Sequence, residues 1–141
     1  MPETVLVVED DPANALLVET ILSRLGGFAV RTSDDGDEVL RLAAAGGLAA
    51  ILMDVSLTDT RLAGAKVDGV ELTRHIRSLA GCAHLPVILL TAHAMRGDRE
   101  HLLFSSGAND YVAKPIADQQ GLVSLLRRHI DASGALATDA R

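Results

Sequence analysis

The sequence predicts an α/β fold, a three-layer, doubly wound domain with helices on both faces of one five-stranded parallel sheet. Four apolar runs of strand length stand out: Val5-Leu6-Val7-Val8, Ala50-Ile51-Leu52-Met53, Val87-Ile88-Leu89-Leu90 and Tyr111-Val112-Ala113. They are continuous rather than alternating, the pattern of strands covered on both faces. Helix-period segments separate them, and strand-helix alternation forces parallel strands joined by right-handed crossovers.

The first strand, residues 5–8, gives way to a helix that Asp11 can cap, with Pro12 at its first position. Leu17, Ile21 and Leu25 form its apolar stripe, and Gly26-Gly27 stop it. A weaker run at residues 28–32 alternates and suits a sheet edge. The second helix spans about residues 35–45, with Val39 and Leu42 inward, Asp34-Asp35 as turn and cap, and Gly46-Gly47 after it. After the strand at residues 50–53, a third helix carries Leu72, Ile76 and Leu79 before Gly81. A fourth, around residues 98–105, precedes Gly107, and a fifth shows Leu122, Leu125, Leu126 and Ile130 at helical spacing. At 141 residues the chain can bury one core and is too short for two ordinary domains. The expectation is one domain over residues 1–130 and a flexible tail over residues 131–141, rich in Ala, Ser, Thr, Asp and Gly.

Composition excludes several classes. A net charge of −6 with only one adjacent basic pair, Arg127-Arg128, lacks the concentrated basic face that phosphate backbones require. One Tyr, two Phe and no Trp offer no stacking platform, so direct nucleic-acid binding is not expected. No apolar stretch approaches the roughly 20 residues of a membrane span, and the start lacks the pattern of a signal peptide, so the expected location is the cytoplasm without membrane insertion. The single Cys82 can form no internal disulfide and reads as a small core filler. His75, His84, His101 and His129 share no metal-ligand spacing and read as surface or half-buried residues.

In an open parallel sheet, ligands bind beyond the carboxyl ends of the strands. Here the first strand ends in Glu9-Asp10, the third in Asp54, the next in Thr91 and the last in Lys114, so three carboxylates, a hydroxyl and an ammonium converge on one rim. The turn after the first strand, Glu-Asp-Asp-Pro-Ala-Asn, holds no glycine, which excludes dinucleotide and P-loop phosphate cradles. A hard cation with oxygen ligands fits: Mg2+ takes one or two carboxylates, keeps waters and leaves room for a phosphoryl oxygen. With Mg2+ and Lys114 the rim nears neutrality and can accept a phosphoryl dianion. Asp54, between Met53 and Val55, is the candidate nucleophile, attacking phosphorus to form an acyl phosphate.

Across roughly residues 4–130 the chain resembles the receiver domain of two-component response regulators. The motifs that carry the resemblance are Val7-Val8-Glu9-Asp10-Asp11, Leu52-Met53-Asp54, Leu89-Leu90-Thr91-Ala92 and Gly107-Ala108-Asn109-Asp110-Tyr111-Val112-Ala113-Lys114-Pro115. The resemblance implies a flavodoxin-like sheet of order 2-1-3-4-5. It implies that Asp54 is phosphorylated by a histidine kinase or phosphotransfer protein, and that Glu9, Asp10, Asp54 and the backbone carbonyl of Ser56 hold Mg2+. It further implies that Thr91 bonds a phosphoryl oxygen and Lys114 pairs with it, that the Lys114–Pro115 peptide is cis, and that Thr91 and Tyr111 form the switch. The output face would be the fourth and fifth helices with the last strand. His93 and Ser56 are candidates for tuning dephosphorylation.

The chain departs from that pattern after Asp54. Residues 55–67 replace a short turn before Asp68-Gly69, a loop roughly seven residues longer than the family's usual one. It reads either as a harmless insertion or as a partner-contact or gating element; Arg61 and Lys66 make it locally basic, and the expectation is that it folds over the site and slows or selects phosphotransfer. The leading function is a stand-alone phosphorylated switch that signals to an unknown downstream protein, with no effector domain after the fifth helix. A receiver excised from a hybrid histidine kinase is the alternative. An aspartate-nucleophile phosphatase would need an acid two residues after the nucleophile, where this chain has Ser56, so no activity beyond its own phosphotransfer and autodephosphorylation is expected. A pseudo-receiver that never carries phosphate conflicts with the intact Asp54, Thr91 and Lys114.

Overall fold

The computed structural model describes residues 2–92 and 98–139. Its elements run β1 (Thr4–Val8), α1 (Pro12–Gly26), β2 (Ala29–Ser33), α2 (Gly36–Ala45), β3 (Leu48–Asp54), β4 (Arg61–Leu62), β5 (Ala65–Lys66), α3 (Gly69–Arg77), β6 (Val87–Thr91), α4 (Asp98–Ser106), β7 (Asp110–Ala113) and α5 (Gln119–Asp139). Five of the strands form one sheet in the order β2-β1-β3-β6-β7, with parallel pairing throughout. Counting only those five, this is the expected order 2-1-3-4-5. The pair β4-β5 is a separate antiparallel hairpin built by the insertion.

Strand parity divides the core. Val5, Val7, Ala50, Leu52, Ile88 and Leu90 pack on the face covered by α1 and α5. Their neighbours Leu6, Val8, Ile51, Met53, Val87 and Leu89 face α2, α3 and the buried Leu57, Val67 and Cys82. All twelve of these strand side chains are fully buried, which is why their runs read as continuous rather than alternating. Capping follows the residues singled out: Asp11 Oδ1 accepts from Ala13 N at 3.1 Å and Asp35 Oδ1 from Asp37 N at 3.0 Å.

Three local expectations differ from the structure. The buried stripe of α1 is Val18, Ile21 and Leu22, whereas Leu17 and Leu25 are 47% and 46% exposed. At about 100° per residue, Leu17 falls outside the arc spanned by Val18, Ile21 and Leu22, whereas Leu25 falls within that arc but lies in the helix's last turn. Strand β7, read as covered on both faces, is half-buried because it closes the sheet edge. The segment from residue 131, expected as a flexible tail, continues α5 to Asp139, and Ser133 Oγ donates to His84 O at 2.6 Å. Its alanines extend a helix that is already nucleated, an advantage composition alone does not register.

Candidate functional site

The carboxyl ends of β1, β3, β6 and β7 meet at one rim. The pairing Val8↔Met53 puts Glu9 and Asp54, each one residue further along, beside one another. Thr91↔Ala113 does the same for Thr91 and the turn that carries Lys114, and Lys114 N donates to Thr91 O at 2.8 Å. One oxygen each of Glu9, Asp10 and Asp54 lies within 4.8 Å of the others, a set that can hold a metal ion. Lys114 Nζ stands 3.0 Å from Asp54 Oδ1 and 3.6 Å from Glu9 Oε2. Asp54 is 2% exposed, and its Oδ1 also accepts from Ser56 N at 3.0 Å.

Glu9 is buried at 5% exposure. Its Oε1 accepts from Asp11 N at 3.1 Å, while Oε2 is buried without a hydrogen bond, holding only its ion-pair distance to Lys114. Burial first, then the neighbouring Asp54 carboxylate, raise its pKa from the usual 4.5 to about 7, against the lowering effects of Asp11 N and Lys114. Asp10 behaves in the opposite way. Burial pushes it up, but bonds from the Asp59 amide and from the Thr58 amide and hydroxyl outweigh this and hold its pKa below the usual carboxylate range. A buried acceptor with no donor, next to two further carboxylates, suits a divalent cation.

Thr91 is fully buried at the end of β6. Tyr111 is half-buried, pairs with Leu89 on the neighbouring strand and packs on the core side that holds Val87 and Leu89. Ser56 is exposed just past Asp54. The Lys114–Pro115 peptide is cis. His93 lies outside the described residues. Of the other histidines, His129 Nε2 stands 3.1 Å from Asp110 Oδ2, a partner that spacing along the chain does not reveal. Beside Lys114 a cavity of about 280 Å3 is lined mainly by apolar groups, among them Leu17, Val18, Leu90, Pro115 and Ile116.

Sequence reasoning missed the partners of Asp10. The loop after Asp54 returns to it: Asp10 Oδ2 accepts from Thr58 N at 2.6 Å, Thr58 Oγ1 at 3.1 Å and Asp59 N at 3.0 Å. Thr58 and Asp59 meet the rim, but the basic Arg61 and Lys66, expected to fold over the site, sit on the hairpin beside Asp37 of α2, and Arg61 bonds Gly64 O rather than an acid of the pocket. In the sequence Gly69 stands only as part of the Asp68-Gly69 that closes the loop. A β-carbon on it would lie 2.1 Å from Asp54 O, so α3 starts directly against the backbone of the candidate nucleophile.

The sequence model described as "Response regulator receiver domain" matches residues 5–127. The chain is 36% identical over 131 residues to the signal transduction histidine-protein kinase BarA of Escherichia coli K12, a match covering 93% of this chain and 13% of BarA. It is 35% identical over 117 residues to the polar-differentiation response regulator DivK of Brucella anthropi, covering 83% of this chain and 88% of DivK. Among solved structures it is similar to the receiver domain of sensor histidine kinase PA1611 from Pseudomonas aeruginosa PAO1, which was crystallised with a magnesium ion coordinated in its active site cleft. That match has a TM-score of 0.78 and 37% identity, and covers 93% of this chain and 99% of the other. Among the described residues no helix is long and apolar enough to cross a membrane.

Proposed function

Since this chain belongs to the response regulator receiver domain family, we propose that it is a phosphorylated switch in which Asp54 accepts a phosphoryl group from a histidine of a sensor kinase or phosphotransfer protein. The observation that carries this reading is the ion pair at 3.0 Å between Lys114 and the buried Asp54, with Glu9 and Asp10 within 4.8 Å, at the carboxyl rim of a parallel sheet.

Lys114 and Ser56 N both engage Asp54 Oδ1, which leaves Oδ2 as the attacking oxygen. As its bond to phosphorus forms, the phosphorus–nitrogen bond of the donor histidine breaks and the imidazole leaves with the electron pair, giving an acyl phosphate on Asp54. Glu9, Asp10, Asp54 and the carbonyl of Ser56 are the groups to hold Mg2+, and the buried Glu9 Oε2 without a hydrogen bond supports that assignment. When bound, the cation supplies charge neutralisation for the incoming phosphoryl oxygens. Lys114 moves from carboxylate to phosphoryl oxygen, and the Thr91 hydroxyl donates to another.

The same residues carry the signal. As Thr91 turns toward the phosphoryl group, Tyr111 moves inward, and the face formed by α4, β7 and α5 shifts between two states that a downstream protein distinguishes. The chain catalyses only its own phosphotransfer and hydrolysis, because Ser56 stands where a small-molecule phosphatase needs an acid. The reaction belongs in the cytoplasm, where ATP-charged kinases present phosphohistidine. Similarity to DivK over 88% of its length supports a stand-alone regulator, and similarity to a 13% portion of BarA supports a receiver within a hybrid kinase. Phosphotransfer from acetyl phosphate and from the host's histidine kinases onto wild type and Asp54→Asn, with the acceptor located by mass spectrometry, tests the proposal. Label on Asp54 with Mg2+ present is expected; unlabelled wild type, or equal labelling of Asp54→Asn, overturns it.

A further inference from the structure

We propose that the insertion between β3 and α3 is a positioning clasp: Thr58 and Asp59 orient Asp10 as a metal ligand, so cation binding and docking of the β4-β5 hairpin reinforce each other. This rests on the reading of Glu9, Asp10 and Asp54 as the Mg2+ seat.

The clasp closes on one atom. Asp10 Oδ2 receives three donors between 2.6 and 3.1 Å, all from Thr58 and Asp59. That is more than its two lone pairs accommodate in linear bonds, so Oδ2 is saturated and the carboxylate plane is fixed. Oδ1 is then the oxygen offered to the pocket. Ligating carboxylates are commonly held this way, with the oxygen turned from the metal bonded to outer groups that set its orientation.

The other end of the insertion is anchored independently. The hairpin turns at Ala63 and Gly64, both with positive φ, 52° and 85°, the geometry that suits the twist of a two-residue hairpin. Ala63 N donates to both carboxylate oxygens of Asp37 at 3.2 Å, at the start of α2. Gly36 lies so close that a β-carbon there would stand 2.6 Å from Arg61 O. At the base, Val67 N donates to Thr60 O at 3.0 Å, and Leu57 and Val67 are buried in the core. An ornamental loop would need none of these contacts. Because the segment is fixed to α2 and to the core, its grip on Asp10 is preorganised, and by linkage any cation that uses Asp10 must in turn stabilise the grip.

The test is titration of the EDTA-stripped chain with MgCl2, reading affinity by calorimetry and backbone amide hydrogen exchange at Thr58 and Asp59. In wild type, Mg2+ is expected to slow exchange at both amides. Thr58→Val should weaken Mg2+ binding several-fold, replacement of residues 61–66 by two glycines about tenfold or more, and Thr58→Ser should restore the wild-type affinity. Wild type that binds Mg2+ without a change in exchange at Thr58 and Asp59 overturns the clasp and leaves the metal seat standing. Wild type that binds no Mg2+ overturns both. The exchange measurement needs no variant, so misfolding of a mutant does not protect the idea.

Discussion

Gly69, the first residue of α3, sits so close to Asp54 that a β-carbon would lie 2.1 Å from Asp54 O and 2.9 Å from Val55 Cα. Its amide donates to Val55 O at 3.2 Å, so the helix start is clamped onto the backbone that presents Asp54, the proposed phosphoacceptor. Gly69→Ala should therefore destabilise the fold by about 2–3 kcal/mol through forced backbone displacement and slow labelling of Asp54 by acetyl phosphate. Urea unfolding and the labelling rate check this; a variant with wild-type midpoint and rate would show that the backbone yields freely.

Lys114 balances two carboxylates at once. Lys114→Met should lower the stability of the metal-free protein at pH 8 by about 1–2 kcal/mol, below the cost of breaking a fully buried pair because the lysine side chain is 19% exposed. The loss should shrink when Mg2+ is added, since the cation replaces the missing charge. Denaturant unfolding with EDTA and with MgCl2 separates the two conditions.

Glu9 gives the metal-free protein a pH dependence of defined sign. Its folded pKa, about 7, lies above the usual 4.5 because of burial first and Asp54 second. A raised carboxylate holds its proton more tightly when folded, so the stabilisation is complete below pH 4.5 and is lost as pH rises toward 7. The loss is on the order of 3 kcal/mol across that window. Asp10, shifted downward, has the opposite sign and acts at more acid pH, outside this window. Stability measured in EDTA should fall between pH 5 and 7.5, and Asp54→Asn should flatten the fall by removing the facing charge. A flat wild-type profile would mean that Glu9 titrates normally.

Arg77 ties three segments together. Its guanidinium donates to Cys82 O at 2.9 Å, Leu85 O at 2.6 Å, Gly107 O at 2.8 Å and Asn109 Oδ1 at 2.7 Å. These bonds join the end of α3, the entry to β6 and the turn before β7. Arg77→Met should cost about 2–4 kcal/mol by leaving carbonyls unpaired, and Arg77→Lys should recover little, since an ammonium cannot reproduce the fork. Thermal unfolding of both variants measures the difference.

How much of this was legible depends on whether the signal is local. The runs at residues 5–8, 50–53 and 87–90 announced strands because each of their side chains is buried on one sheet face or the other. Asp54 and Lys114 were legible as rim residues because a strand's carboxyl end is marked where apolar residues give way to polar ones. Of the stripe expected on α1 only Ile21 is buried, because Leu17 lies beside the arc of Val18, Ile21 and Leu22 and Leu25 falls in the helix's last turn. The helical continuation beyond residue 130 was hidden by composition.

The sequence by itself determined the alternation of elements, and with it a parallel sheet whose strand ends gather Glu9, Asp10, Asp54, Thr91 and Lys114 on one rim, because burial periodicity and crossover handedness leave few alternatives. The strand order is what the family resemblance implies. Only the tertiary structure decided which oxygen of each carboxylate is engaged and which is left without a hydrogen bond. It alone set Gly69 against Asp54 and turned the residues after Asp54 back onto Asp10. Those are contacts across 15 and 48 positions, and most of their donors and acceptors are backbone amides and carbonyls, which are the same at every residue, so spacing along the chain does not reveal them.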